Sequence, residues 1–215
     1  MSEVLYFTQA EFMLLLELAG GGECSLLSDG VRPEREALTL AFAALFQRGM
    51  LRRQGEGFAL EGTGVLFADI RSAPWAVCLS SPEGERGVCY VGEEGLWLVE
   101  LADTILTRQY RVRRMDRLSM EQWLFDSELL ERPVLTCEDL SELGALEEEL
   151  PGLDRQTLLR LEKRRNGGPV MELYEVYQNG VQRGISRNGQ DVNYTQEALS
   201  QMLTDCFGKE RYDRC

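Results

Sequence analysis

The chain contains no histidine. That absence removes the usual general base of a serine or cysteine triad and the commonest zinc ligand. Lysine is nearly missing too: Lys163 and Lys209 are the only two among 23 basic residues. Six cysteines, at positions 24, 78, 89, 137, 206 and 215, include no C-x-x-C pair. A zinc site would have to gather four of them from distant segments, whereas structural zinc sites favour close-spaced pairs. Buried free thiols suit these cysteines better in a reducing cytosol. No phosphate loop is present, because Gly20-Gly21-Gly22 follows a helical pattern and has no Lys-Ser/Thr after it. Long apolar runs are lacking as well, and Phe12–Leu16 is far short of a membrane span. Residues 1–25 hold no Lys or Arg, which excludes the basic start of a secretory signal. Positive charge is in deficit, with 36 acidic against 23 basic residues and a net charge of −13. Such a balance disfavours a general nucleic-acid binder. The expectation is a cytoplasmic, non-enzymatic protein with no cofactor, no metal, no catalytic residues and no membrane partner.

What is present begins with a capping box, Thr8-Gln9-Ala10-Glu11, with Phe7 and Phe12 placed to staple across it. Phe12, Leu15, Leu16 and Ala19 share one face of the helix that follows. A second helix is predicted over Glu34–Gln47, its face formed by Leu38, Phe42, Leu45 and Phe46. Arg48-Gly49 stops it. Met50–Gln54 and Phe58–Leu60 read as short strands around Gly55-Glu56-Gly57, and Gly64–Ile70 as helix again. Helix followed by glycine-tipped hairpin is the outline of a winged-helix-like unit. Residues 23–32, however, offer no clear helix where a standard winged unit has its second.

Pro74 opens a meander predicted over 75–112. Its strands are Trp75–Ser80, Gly87–Val91, Leu96–Leu101 and Ile105–Val112, with turns at Pro82–Glu85 and Gly92–Gly95. A turn centred on Glu83-Gly84 would set Cys78 opposite Cys89, as a disulfide or as two packed thiols. Arg108, Arg111, Arg113, Arg114 and Arg117 form the most basic stretch, read either as a patch for an acidic partner or as a face paired within the chain. Ser119-Met120-Glu121-Gln122, stapled by Leu118 and Trp123, suggests a second capping box, and Thr136-Cys137-Glu138-Asp139 a third. The latter opens a helix carrying Leu140, Leu143 and Leu146. Asp154 is placed to cap a further helix ending at Lys163-Arg164-Arg165-Asn166-Gly167-Gly168. A second meander, over 170–194, turns at Asn179-Gly180 and Asn188-Gly189. Centring on those dipeptides pairs Tyr174 with Ile185, and Ile185 with Val192. Thr195 caps a closing helix with Leu199, Met202, Leu203 and Cys206 inward.

The fold class expected is α+β. Two antiparallel meanders, joined in one shared sheet or separate, are flanked by helices in a quasi-two-fold arrangement, with the winged-helix-like unit at the N-terminus. Residues 1–72 form that unit, 73–130 the first meander with its covering helix, and 131–215 the remainder, all in one compact domain.

The order of a capped helix, a second helix leading through Ala43-Ala44-Leu45-Phe46-Gln47-Arg48-Gly49-Met50-Leu51 into a Gly hairpin, and the meander from Trp75 to Val112 resembles the EspG-like proteins. These are cytosolic bacterial chaperones associated with type VII (ESX) secretion. The resemblance implies an α+β quasi-two-fold fold, no catalytic residues and a protein partner, a helical secreted substrate. The alternative is a winged-helix transcriptional regulator. It would lay Glu34–Gln47 in a major groove and bind DNA through Arg48, Arg52 and Arg53. Residues 1–72 carry 6 basic and 10 acidic residues, a net of −4, which opposes that alternative.

Overall fold

The computed structural model describes residues 4–20, 33–92, 95–103, 108–131, 133, 155–180 and 182–208. First come β1 (Val4–Thr8), α1 (Gln9–Leu18), α2 (Arg35–Gln47), the hairpin β2 (Leu51–Gln54) and β3 (Gly57–Leu60), a 3-10 turn (Gly62–Val65) and α3 (Leu66–Ser72). There follow β4 (Trp75–Ser81), β5 (Gly84–Val91), β6 (Leu96–Asp103), β7 (Arg108–Met115) and α4 (Arg117–Asp126). Last are β8 (Gln156–Arg165), β9 (Val170–Asn179), β10 (Gln182–Arg187), β11 (Gln190–Asn193) and α5 (Gln196–Phe207).

Nine strands form one antiparallel sheet in the order β1-β7-β6-β5-β4-β8-β9-β10-β11, while β2 and β3 pair separately. The two meanders therefore share a sheet, joined where β4 pairs with β8. A strand near the middle is buried on both faces and reads as a continuous apolar run, as Val88-Cys89-Tyr90-Val91 does. Edge strand β11 is exposed throughout. Alternate residues feed two cores. On one face Val77, Leu79, Cys89, Leu98, Leu159, Tyr174 and Ile185 meet α4 and α5. On the other, Ala76, Val88, Tyr90, Val99 and Val112 meet Phe7, Phe12, Leu15, Leu45 and Phe67.

Several local expectations hold. Thr8 and Glu11 make the reciprocal capping box, and Phe7 and Phe12 both pack edge-on against Phe67, at 5.1 and 5.3 Å. Gly49 ends α2 at φ 69°, and Asn188-Gly189 turns with φ 51° and 83°, the positive pair of a type I′ hairpin. Thr195 caps α5, whose Leu199, Met202, Leu203 and Cys206 are buried.

Other expectations are corrected. Gln156–Arg165 is a strand, not a helix ending at Lys163-Arg164-Arg165. Its Leu, Arg, Glu and Lys residues favour helix, yet Leu159, Leu161 and Lys163 alternate inward between two pairing partners, and tertiary pairing overrides propensity. The second meander thus begins at 156. Cys78 and Cys89 do not face each other: Ser81 pairs with Gly84 around Pro82-Glu83, and a bulge shifts the register so that Cys78 pairs with Val88 and Cys89 with Val77. Neighbouring register positions point to opposite sides of a sheet, so the two thiols enter different cores and are free. Strand β7 runs to Met115, beyond Val112, and Asp116 caps α4 by accepting from the Ser119 amide at 2.7 Å. A carboxylate at the positive end of a helix outcompetes the serine, and Leu118, the expected staple, is 77% exposed. Tyr174 pairs with Arg187 while Ile185 pairs with Val176, because the turn is centred on 180–181; Ile185 with Val192 stands. The residues read as a loop at 23–32, and those at 136–146 and Asp154, lie outside the described residues.

Candidate protein-interaction surface

Helix α2 turns Ala41 and Leu45 fully inward and leaves Leu38 and Phe42 half-buried. Phe46, expected in the core, is 48% exposed. The β2–β3 hairpin sets Leu51 opposite Leu60 and Arg53 opposite Phe58. Leu51 is buried and Leu60 half-buried, but Phe58 is 40% exposed and packs on α2 instead of the core. Its ring meets Phe42 edge-on at 4.5 Å and 79°, and Phe46 at 6.4 Å and 89°. Three aromatic rings thus cluster at the seam between helix and hairpin while two of them face water.

The three arginines of the DNA alternative differ in their contacts. Arg48 donates to Glu11 Oε1 at 3.2 Å and to the Tyr6 carbonyl at 3.3 Å, and lies 5.0 Å from the Phe7 ring centroid. It ties α2 to α1 and β1. Arg52 and Arg53 are exposed and make no ion pair among the described residues. The face of α2 carrying Glu36, Thr39, Ala43 and Gln47 is exposed as expected.

Two arginines of the basic stretch on β7, Arg111 and Arg113, are paired within the chain. Glu100, 5% exposed, accepts from Arg111 through both oxygens, at 2.6 and 3.1 Å, and from Arg113 Nε at 3.0 Å. The Arg111 guanidinium is held above its ordinary pKa chiefly by that hydrogen bond. Arg114 lies over the Trp97 ring, and Arg117 donates to the Ser200 carbonyl at 3.2 Å.

A second polar network joins β8, β9, β10 and α5. Arg187 donates to Glu172 at 2.7 Å and reaches Asp205 at 3.3 Å, the Tyr174 hydroxyl donates to Asp205 at 2.9 Å, and Lys163 sits 3.8 Å from Glu172. Burial first, then the bond to Asp205, pushes the Tyr174 phenol far up. Both carboxylates are committed to cations and a phenol, so the network braces α5 against the sheet. The three thiols among the described residues are poor nucleophiles as well: burial pushes Cys78 up to about 11 and raises Cys89 and Cys206 further.

A cleft of about 1540 Å³, not anticipated from the sequence, lies between α3, the β5–β6 turn, the start of α4 and the end of α5. Val65, Leu66, Trp97, Arg114 and Phe207 line it, together with Asp69, which accepts from Trp97 Nε1. Its walls come from five separate segments of the chain, so no local motif could have announced it. Among the described residues, no group of three or more His, Cys, Asp or Glu is placed to hold a metal ion. None of their helices is long and apolar enough to cross a membrane. No protein-family model matches the chain, and no curated protein matches it either.

Proposed function

We propose that this is a non-enzymatic, cytoplasmic interaction protein, a chaperone of the EspG-like kind for type VII secretion. It covers an apolar helical surface of a secreted partner until export. The observation that carries this reading is the exposed aromatic seam of Phe42, Phe46 and Phe58, because aromatic surface clustered in water marks an association site. The sheet order lends support: read outward from the β4–β8 pair it is β4-β5-β6-β7 on one side and β8-β9-β10-β11 on the other. Each four-strand run is followed by a helix, α4 or α5, on the same face, as a quasi-two-fold fold requires. Affinity capture from the source cell tests the reading. Recovery of a helical secretion substrate is expected; recovery of a polymerase or a metabolic enzyme in its place overturns it.

The winged-helix regulator keeps one favourable observation: Arg52 and Arg53 are exposed and make no ion pair among the described residues. Against it, Arg48 is bound to Glu11, and the outward face of α2 offers Glu36, Thr39, Ala43 and Gln47, with little to read base edges. No duplex shift is expected at physiological salt. A shift that weakens steeply with salt, and that the double variant Arg52→Ala, Arg53→Ala abolishes, would promote the regulator.

A further inference from the structure

We infer that the partner seated on the aromatic seam is an acidic amphipathic helix, its apolar ridge over Phe42, Phe46 and Phe58 and its flanking carboxylates on Arg35 and Arg53. This rests on the interaction-protein reading and adds the chemistry of the partner. Along α2, Arg35, Thr39, Phe42 and Phe46 follow i, i+4, i+7, i+11, a single stripe of the helix. Arg53 stands directly across the hairpin from Phe58, and such cross-strand partners share a face. The seam therefore runs between an arginine on the helix and an arginine on the hairpin.

Those arginines contrast with many others in this molecule. Arg48, Arg111, Arg113, Arg155, Arg183 and Arg187 each hold a carboxylate of the chain itself. Arg35, Arg52 and Arg53 hold none among the described residues. Cations that hold no carboxylate among the described residues, set beside exposed rings, complement a partner that is apolar along one line and anionic beside it. A helix supplies that pattern, since residues at i, i+3 and i+4 form a ridge while their neighbours flank it.

Single-stranded nucleic acid is the competing occupant, because bases also stack on aromatic rings beside arginine. The ring geometry opposes it. Phe58 stands edge-on to both Phe42 and Phe46, at 79° and 89°, so the cluster spends ring faces on itself instead of presenting a flat platform. The field of a chain with net charge −13 repels both partners, but more strongly a polymer with a phosphate at every residue than a helix with carboxylates only on its flanks.

The test uses the full chain and two labelled synthetic peptides about five helical turns long, with the same Leu/Phe ridge, one flanked by Glu and one by Lys. Fluorescence anisotropy is expected to give at least about tenfold tighter binding for the Glu peptide, with the advantage shrinking as salt rises. Arg53→Glu, an exposed change that leaves the core untouched, should reverse the preference toward the Lys peptide. Phe46→Ser should weaken the Glu peptide by about tenfold or more. Equal binding of both peptides, or a preference that Arg53→Glu leaves unmoved, overturns the inference while the interaction-protein reading stands. Binding of neither peptide overturns it as well, and capture of a helical cell partner that survives Phe46→Ser would then place the working surface elsewhere. Tight binding of oligo-dT that Arg52→Ala with Arg53→Ala removes would assign the seam to nucleic acid.

Discussion

Glu100 sits almost out of solvent between two guanidinium groups, and its neutral isostere tests what that arrangement contributes. Glu100→Gln leaves Arg111 and Arg113 facing each other without an anion. It should lower stability by about 3 kcal/mol in urea unfolding, the usual cost of breaking a buried ion pair. Arg160 pairs with Glu162 at 2.8 Å but is largely exposed, so Arg160→Ala should cost less than about 0.5 kcal/mol. Equal effects would mean that burial does not distinguish the two pairs. The phenols give a pH signature. Tyr194 is raised, first by burial, from 10.0 to about 12. Since the folded value lies above the unfolded one, its contribution is fully present below pH 10 and fades as pH rises toward about 12. Stability should fall across that window, and Tyr194→Phe should flatten the fall. An unchanged slope in the variant would count against the burial of this phenol.

Elements differ in how far residue pattern alone specifies them. Helices α1 and α5 are legible because their cap and inward stripe are local, and the hairpin β10–β11 because Asn188-Gly189 needs positive φ at both positions. Strand β8 was not legible. Its residues prefer helix, and only its neighbours β4 and β9, the former 82 residues away in sequence at the Leu79–Leu161 pair, decide otherwise. The seam was half legible for a related reason. Spacing identifies Phe42 and Phe46 as one stripe of α2, but it cannot say which stripe turns inward, and Ala41 with Leu45 does so. Nor could spacing show that Arg48 finds Glu11 while Arg53 finds no acid among the described residues. Register in the second meander makes its own prediction. Gly184 lies opposite Tyr177, whose ring covers it, and a Cβ there would fall 2.3 Å from the ring. The same ring carries Arg155, 3.7 Å from its centroid. Gly184→Ala should displace the tyrosine and cost about 1–3 kcal/mol, the range for overpacking. A calorimetric midpoint equal to that of the parent protein would refute the close approach.

For the molecule as a whole, the decisive contact is the β4–β8 pair, because it places the two meanders over one core. Leu79 and Leu98 from the first, and Leu161, Tyr174 and Ile185 from the second, belong to a single buried cluster closed by α4 and α5. A core shared in this way couples the halves, since neither can lose its packing without exposing apolar surface of the other. Leu98→Ala on β6 and Leu161→Ala on β8 both empty fully buried sites and should each cost about 2–5 kcal/mol. Coupling demands more than equal size. Both variants should shift one and the same urea transition, followed by tryptophan fluorescence from Trp75, Trp97 and Trp123 and by circular dichroism, with the slope m unchanged. If the meanders instead unfold independently, Leu161→Ala would move one step of the transition and Leu98→Ala the other, each leaving its companion in place. Coincident transitions in both variants are the expected result, and two separated steps in either would break the single-core account.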